Sequence, residues 1–97
     1  KHKDKVPVII EKSDTNQILK DIDKHKFLFL REVTCGQILH YIRTKIQLNN
    51  SEGLFLFVNN RTMPGTSETI GQVYDKHHDK DGFLYITYSI QQTYGSN

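Results

Sequence analysis

The chain has 97 residues and a mass of 11.3 kDa, enough for one hydrophobic core and too little for a second domain. Its 36% hydrophobic content is gathered into runs such as VPVII, FLFL, LFLFV and FLYITY, which excludes a disordered chain, and the longest run is far short of the ~20 residues that cross a bilayer as a helix. A formal net charge of +2 and a pI near 8.7 come without the dense Lys/Arg stripe of a nucleic-acid-binding protein, so nucleic acid is not expected as a partner.

The chain opens on Lys1 rather than Met, and no charged-then-apolar leader follows. It is therefore read as a trimmed piece of a longer polypeptide, soluble and intracellular, forming a single domain over 1–97 with loose ends at 1–5 and 90–97. Residues 6–11, VPVIIE, read as a strand with Val6, Val8 and Ile10 on one face and Pro7 and Ile9 on the other, so that both faces need cover. Pro7 has no N–H, which confines it to a strand start or to a position where the ladder needs no donor. The polar stretch Ser13–Asp23 reads as a connection, with one short turn around Gln17–Lys20. KFLFLREV resumes the strand pattern, Phe27 and Phe29 facing one way and Lys26, Leu28 and Leu30 the other; the flanking Lys24, Lys26 and Arg31 mark a sheet edge.

In TCGQILHYIRTKIQL, Thr34 is placed to cap a helix while Gln37 reaches back to it, and Ile38, Tyr41, Ile42 and Ile46 follow at helical spacing. Cys35, the sole cysteine, has no partner within the chain for a disulfide; it reads as a small packed residue near the helix start and fits a reducing compartment. NNSEG breaks the pattern. LFLFVNN then gives a strand with Leu54, Leu56 and Val58 opposing Phe55 and Phe57, and Asn59-Asn60 supplies turn chemistry at its exit. Thr69 and Gln72 form a second capping box before a short helix that carries Ile70, Val73, Tyr74 and His77 and ends in HHDKDG. The last strand, FLYITYS, sets Leu84, Ile86 and Tyr88 against Phe83, Tyr85 and Thr87, and a polar tail with Tyr94-Gly95 follows.

The order strand, strand, helix, strand, short helix, strand predicts an α+β fold: a four-stranded mixed sheet crossed by one main helix, with a second, short helix, on the plan of the ubiquitin-like β-grasp. The candidate catalytic constellations do not hold together. His77 and His78 are adjacent, so on a helix of ~3.6 residues per turn they diverge by about 100° and suit a shared metal with Asp79 poorly. Cys35 and His40, five positions apart, do not share a helical face as nucleophile and base would. No phosphate loop or paired-carboxylate motif is present. The expectation is a protein that is not an enzyme and carries no cofactor or metal.

DKVPVIIEK, DIDKHKFLF, TCGQILHYIRTKIQL, LFLFVNN, MPGTSETIGQVYDKHHDKDGFLYITYS and TYG follow one another in the order, and nearly the spacing, of one family. Over residues 4–95 the chain resembles the autophagy ubiquitin-like modifiers, the group typified by GABARAP. The resemblance implies a ubiquitin-like domain that a cysteine protease cuts after Gly95, removing Ser96-Asn97. Activating and conjugating enzymes then pass the new carboxyl group through thioesters to the amine of phosphatidylethanolamine. The choice of residue has its own physical sense, because glycine has no Cβ and its carbonyl can enter a narrow catalytic groove. The implied localisation is cytoplasmic, with a lipid-anchored pool on autophagosomal or related membranes.

The resemblance implies a second role, the docking of autophagy receptors and adaptors through short aromatic-x-x-aliphatic motifs that add a strand beside Lys26–Leu30. The pocket for the aromatic residue would comprise Pro7, Ile9, Lys26, Leu28 and Phe83; the pocket for the aliphatic one would comprise Phe27, Phe29, Leu30, Val33, Ile38 and Tyr41. Lys24 and Lys45 match positions that meet acidic residues beside the motif. Leu30 stands where the family usually has proline and Tyr41 where leucine is common, departures that bear on the second pocket. Family members also carry two short helices upstream of the position of Lys1. The alternative is an unconjugated ubiquitin-like adaptor with the same peptide groove.

Overall fold

The computed structural model describes residues 4–13, 20–48 and 53–90. Alternation in the first apolar run builds strand β1, Lys5–Lys12, with Val6, Val8 and Ile10 fully buried and Pro7 and Ile9 half-buried on the opposite side. The N-terminal end was expected to be loose through residue 5, yet Lys5 is already paired with Leu30. Strand β2, Lys26–Leu30, lies antiparallel to β1, Val6 opposite Phe29 and Val8 opposite Phe27. On the other side of β1 runs β4, Leu84–Ser89, in parallel, Val8 opposite Leu84 and Ile10 opposite Ile86; β3, Phe55–Val58, closes the sheet antiparallel to β4. The order β2-β1-β4-β3 is that of the ubiquitin-like α+β grasp.

Helix α1, Cys35–Lys45, starts where the sequence places it. The Gln37 amide donates to Thr34 Oγ1 at 3.1 Å and the Thr34 amide donates to Gln37 Oε1 at 2.9 Å. The same reciprocal pair, Thr69 with Gln72, opens α2, Ile70–His77. The core lies between the helices and the inner face of the sheet, where Ile38, Ile42, Ile70 and Val73 meet Val6, Val8, Ile10, Leu84, Ile86 and Tyr88. After β3, Asn59 and Asn60 both adopt left-handed backbone angles (φ 54° and 60°), and the turn closes when the Arg61 amide reaches Val58 O at 3.1 Å.

Several details differ from the pattern-based expectation. Phe57 alternates away from Leu56 and Val58 but is itself buried, and the last two strands begin one residue later than expected, at Phe55 and Leu84. Ile22, inside the polar connection, is buried in the core, and Ile90 is partly packed against it. The turn expected around Gln17–Lys20 lies outside the described residues apart from Lys20.

The agent that draws residues 20–22 inward is Tyr88. Its ring is fully buried near the C-terminal end of β4, and its hydroxyl donates to Lys20 O at 3.0 Å and accepts from the Ile22 amide at 3.2 Å. Burial, together with the nearby Asp21 carboxylate, pushes its phenol up to about 12 from 10.0, outweighing the Ile22 amide that acts the other way. The neutral phenol is the form the fold holds. Above the unfolded value the denatured chain alone loses the proton, so this part of the stability is complete below about pH 10 and disappears as pH rises toward about 12. Tyr88→Phe is expected to lower stability by about 1–3 kcal/mol at neutral pH, because the buried Ile22 amide and the partly buried Lys20 carbonyl lose their partner. It should also flatten the fall in stability across the alkaline range; denaturant titrations at neutral and alkaline pH would read both effects.

Candidate functional site

Among the described residues, the sheet order leaves β2 with one paired side and one open side. Two hydrogen bonds just outside the strand show which backbone groups face which way: the Ile10 amide donates to His25 O at 2.9 Å and the Arg31 amide to Asp4 O at 3.0 Å. In an antiparallel ladder such residues alternate, so Phe27 and Phe29 also turn their N–H and C=O groups toward β1, and Lys26, Leu28 and Leu30 turn theirs to the open side. Pro7, opposite Leu28, points its nitrogen toward β4, but the β1–β4 pairing starts one residue later at Val8, so no ladder bond is forfeited.

The same alternation sorts the side chains. Partners across the strands share a face, so Lys26, Leu28 and Leu30 lie with Ile9, Pro7 and Lys5 on the outer face of the sheet, while Phe27 and Phe29 lie with Val8 and Val6 toward the core. Leu28 and Leu30 are 53% and 48% exposed, high values for leucine. Beside them a depression of about 430 Å³ is lined by Pro7, Lys24, Lys26, Phe27, Leu28 and Phe83. It brings together four of the five residues assigned to the aromatic pocket. Ile9, next to Lys26 in the register, instead lines an adjoining polar depression of about 350 Å³ with Glu11, Asn59, Asp79 and Tyr85.

The residues assigned to the aliphatic pocket divide. Phe27 and Phe29 stack with ring centroids 5.2 Å apart, and Tyr41 meets Phe27 edge-on at 5.7 Å. Val33 is half-buried at the margin of the core, and Ile38, 1% exposed, is a full core residue. Leu30 is not brought to this group, because the pleat carries it to the outer face. The three lysines do converge on the site, each with its ammonium over one of its rings: Lys24 over Phe27 at 5.1 Å, Lys26 over Phe83 at 5.8 Å and Lys45 over Tyr41 at 5.9 Å. Gly95 lies outside the described residues.

Sequence reasoning missed the clamp below the edge. Arg31 reaches α2, its guanidinium bonding Gly71 O at 3.3 Å and pairing with Asp75, while the Gly71 amide donates to Arg31 O at 3.0 Å. A Cβ on Gly71 would stand 2.8 Å from Arg31 Cβ, so the helix can pass here only as glycine. A lone Arg beside a strand and a lone Gly in a helix gave no signal that they meet. The adjoining depression was also missed; Tyr85 in its lining donates a hydrogen bond to Asp81, which lowers the carboxyl and raises the phenol.

The other nucleophilic and metal-ligating candidates have structural roles. Cys35 is buried, and burial, then the charge of Glu68, pushes its thiol up to about 11, leaving almost no thiolate at neutral pH. His78 stacks on Tyr74 with centroids 4.8 Å apart and has Nδ1 at 2.9 Å from Tyr74 O, while the His77 carbonyl accepts from Asn59. No group of three or more His, Cys, Asp or Glu side chains among the described residues could hold a metal.

Comparison with known proteins bears on this geometry. A family model described as "Autophagy protein Atg8 ubiquitin like" matches residues 1–95. Autophagy-related protein 8a of Arabidopsis thaliana is 42% identical over 96 residues, which covers 99% of this chain and 77% of that protein.

The split between exposed edge and buried rings has a measurable consequence. Leu28→Ala is expected to change unfolding free energy by less than about 0.5 kcal/mol, as exposed substitutions do, whereas Phe27→Ala should remove about 3–5 kcal/mol. Chemical denaturation of the two variants side by side would show the difference.

Proposed function

The chain belongs to the Atg8 family of autophagy ubiquitin-like modifiers, and on that premise we propose that it works as a transferable tag with a docking edge. In this reading a cysteine protease hydrolyses the Gly95–Ser96 peptide bond. The activating enzyme joins the Gly95 carboxylate to AMP from ATP, releasing pyrophosphate, and its thiol displaces AMP to give a thioester; the acyl group passes to the conjugating enzyme's thiol, and the headgroup amine of phosphatidylethanolamine displaces that thiol to form an amide. The domain then sits on autophagosomal or related membranes, drawn from a cytoplasmic pool. An anchor of this kind would supply what the chain's own helices do not, since no helix among the described residues is long and apolar enough to cross a membrane.

The body of the domain would recruit receptors and adaptors carrying an aromatic-x-x-aliphatic segment. The observation that carries this part is the open side of β2 beside an apolar depression whose rim holds Lys24 and Lys26. An extended guest would hydrogen-bond to the edge, place its aromatic residue against Pro7, Leu28 and Phe83, and set its aliphatic residue toward Phe29, Val33 and Tyr41. Ile9, Leu30 and Ile38 would contribute from the margins, as half-buried, outer-face and buried neighbours respectively. The lysine ammoniums, held over aromatic rings, favour a guest with acidic flanks and act mainly on encounter rate and specificity.

Two measurements test the two halves. Incubated with ATP and Mg²⁺, protease, activating and conjugating enzymes of the family and phosphatidylethanolamine liposomes, the full chain should yield a lipid-linked product by mass spectrometry that Gly95→Ala abolishes. A chain left unmodified while a family relative is converted would leave the unconjugated adaptor in its place. Titrated with an acidic-flanked Trp-x-x-Leu peptide, Leu28→Ala should weaken binding by about ten-fold or more, the order expected for losing a buried leucine contact. Neutralising Lys24 or Lys45 should chiefly reduce the salt sensitivity of the on-rate. Unchanged affinity in Leu28→Ala would move the peptide elsewhere.

A further inference from the structure

We infer that the docking ladder on β2 runs through the amide of Leu30 and ends there, so that a guest is gripped over one more backbone bond than the segment beside Leu28 provides. The inference rests on the peptide-docking reading above and concerns which atoms carry it.

The alternation fixed by the Ile10–His25 and Arg31–Asp4 bonds turns the N–H and C=O groups of Lys26, Leu28 and Leu30 to the open side. One of these six is already taken: the Val33 amide donates to Leu30 O at 3.1 Å, closing the turn after β2. Among the described residues none takes the other five, three donors and two acceptors. The edge is therefore a bounded strip. A guest that pairs with Leu28 must travel two residues further to bring its next carbonyl to the Leu30 amide; the acceptor that would follow, Leu30 O, is already taken by Val33, and β2 ends at Leu30.

Leu30 is held ready for this contact. The residue after it, Arg31, is fixed by its amide to Asp4 O, by its carbonyl to the Gly71 amide and by its guanidinium to Gly71 O and Asp75. A donor fixed before binding avoids most of the ordering cost that a flexible one incurs. The occupant is an extended peptide with acidic flanks, because the ammoniums of Lys24 and Lys26 stand at the rim of the adjoining depression. The Leu30 side chain, 48% exposed on the outer face, is not what makes this bond; the peptide N–H is.

The test is amide hydrogen exchange of the full chain, with and without a saturating synthetic peptide that has aspartates before a Trp-x-x-Leu core and continues past the core at both ends. Exchange at Lys26, Leu28 and Leu30 should slow on binding, while Phe27 and Phe29, already paired with β1, and Arg31, already bonded to Asp4 O, change little. Leu30→Ala keeps the donor and Leu30→Pro removes it. Proline is tolerated where an edge N–H faces outward, so the proline variant should bind about three- to ten-fold more weakly than the alanine variant, the range of one net hydrogen bond. Slowing at Lys26 and Leu28 without Leu30, or equal affinity of the two variants, would overturn the inference and leave docking intact. No slowing at any of the three would overturn docking itself. If the proline variant does not fold, the exchange data decide alone.

Discussion

The parallel pairing of β1 with β4 is the constraint on which the rest of the molecule depends. It joins a strand from the start of the chain to one from the end and fills the second side of β1, whose first side is taken by β2. With β4 likewise flanked by β1 and β3, the two remaining strands become the edges. These edges are not equivalent. β3 is four residues long, and the Val58 amide and carbonyl turn back to Thr62, so its outer side is partly closed by its own turn. Among the described residues, β2 keeps its outward groups open along nearly its whole length, closing where Val33 caps Leu30. A strand left unpaired in this way is a template for another extended chain, and the fold confines that template to one short strip.

What makes the strip rigid is the junction between β2 and the helices. Val33 O accepts from the Ile70 amide, Thr34 pairs with Thr69, and Arg31 crosses Gly71 at a distance only glycine permits. The residues that end the edge strand thus begin α1 and hold the start of α2. Each capping threonine satisfies its own helix terminus, and the residues beside the two threonines tie the termini together, the Cys35 amide donating to Glu68 O and the Ile70 amide to Val33 O. A loose edge would have to be ordered when a guest arrives; this one is ordered beforehand by contacts that belong to the core.

Around the strip, aromatic rings serve packing and electrostatics together. Phe27 is buried against Phe29 and Tyr41 and also lies beneath Lys24, while Phe83 and Tyr41 lie beneath Lys26 and Lys45. Each exposed cation–ring contact is worth only about 0.5–1 kcal/mol. Their larger consequence is positional, since they hold flexible ammoniums where an acidic segment entering the groove would meet them. The single cysteine stands outside this arrangement, its thiol raised by burial and its amide bonded to Glu68 O.

Much of this was legible in the amino-acid order. Period-two alternation announced β1, β2 and β4, reciprocal Thr–Gln pairs marked the first turn of both helices, and lysines beside FLFL identified the edge, because these features depend on residues within one or two turns of one another. Ile22 was not legible: a single isoleucine in a polar stretch joins the core only because Tyr88, 66 positions away, bonds its amide. The family resemblance grouped Leu30 with Phe29 in one pocket, while strand alternation had set them on opposite faces, and the pleat follows the alternation. Local pattern by itself determined the elements, their inward faces and the identity of the edge. Only tertiary structure decided that Arg31 meets Gly71, that Pro7 forfeits no ladder bond and that Val33 caps Leu30, because such contacts depend on distances between segments that pattern along the chain does not encode.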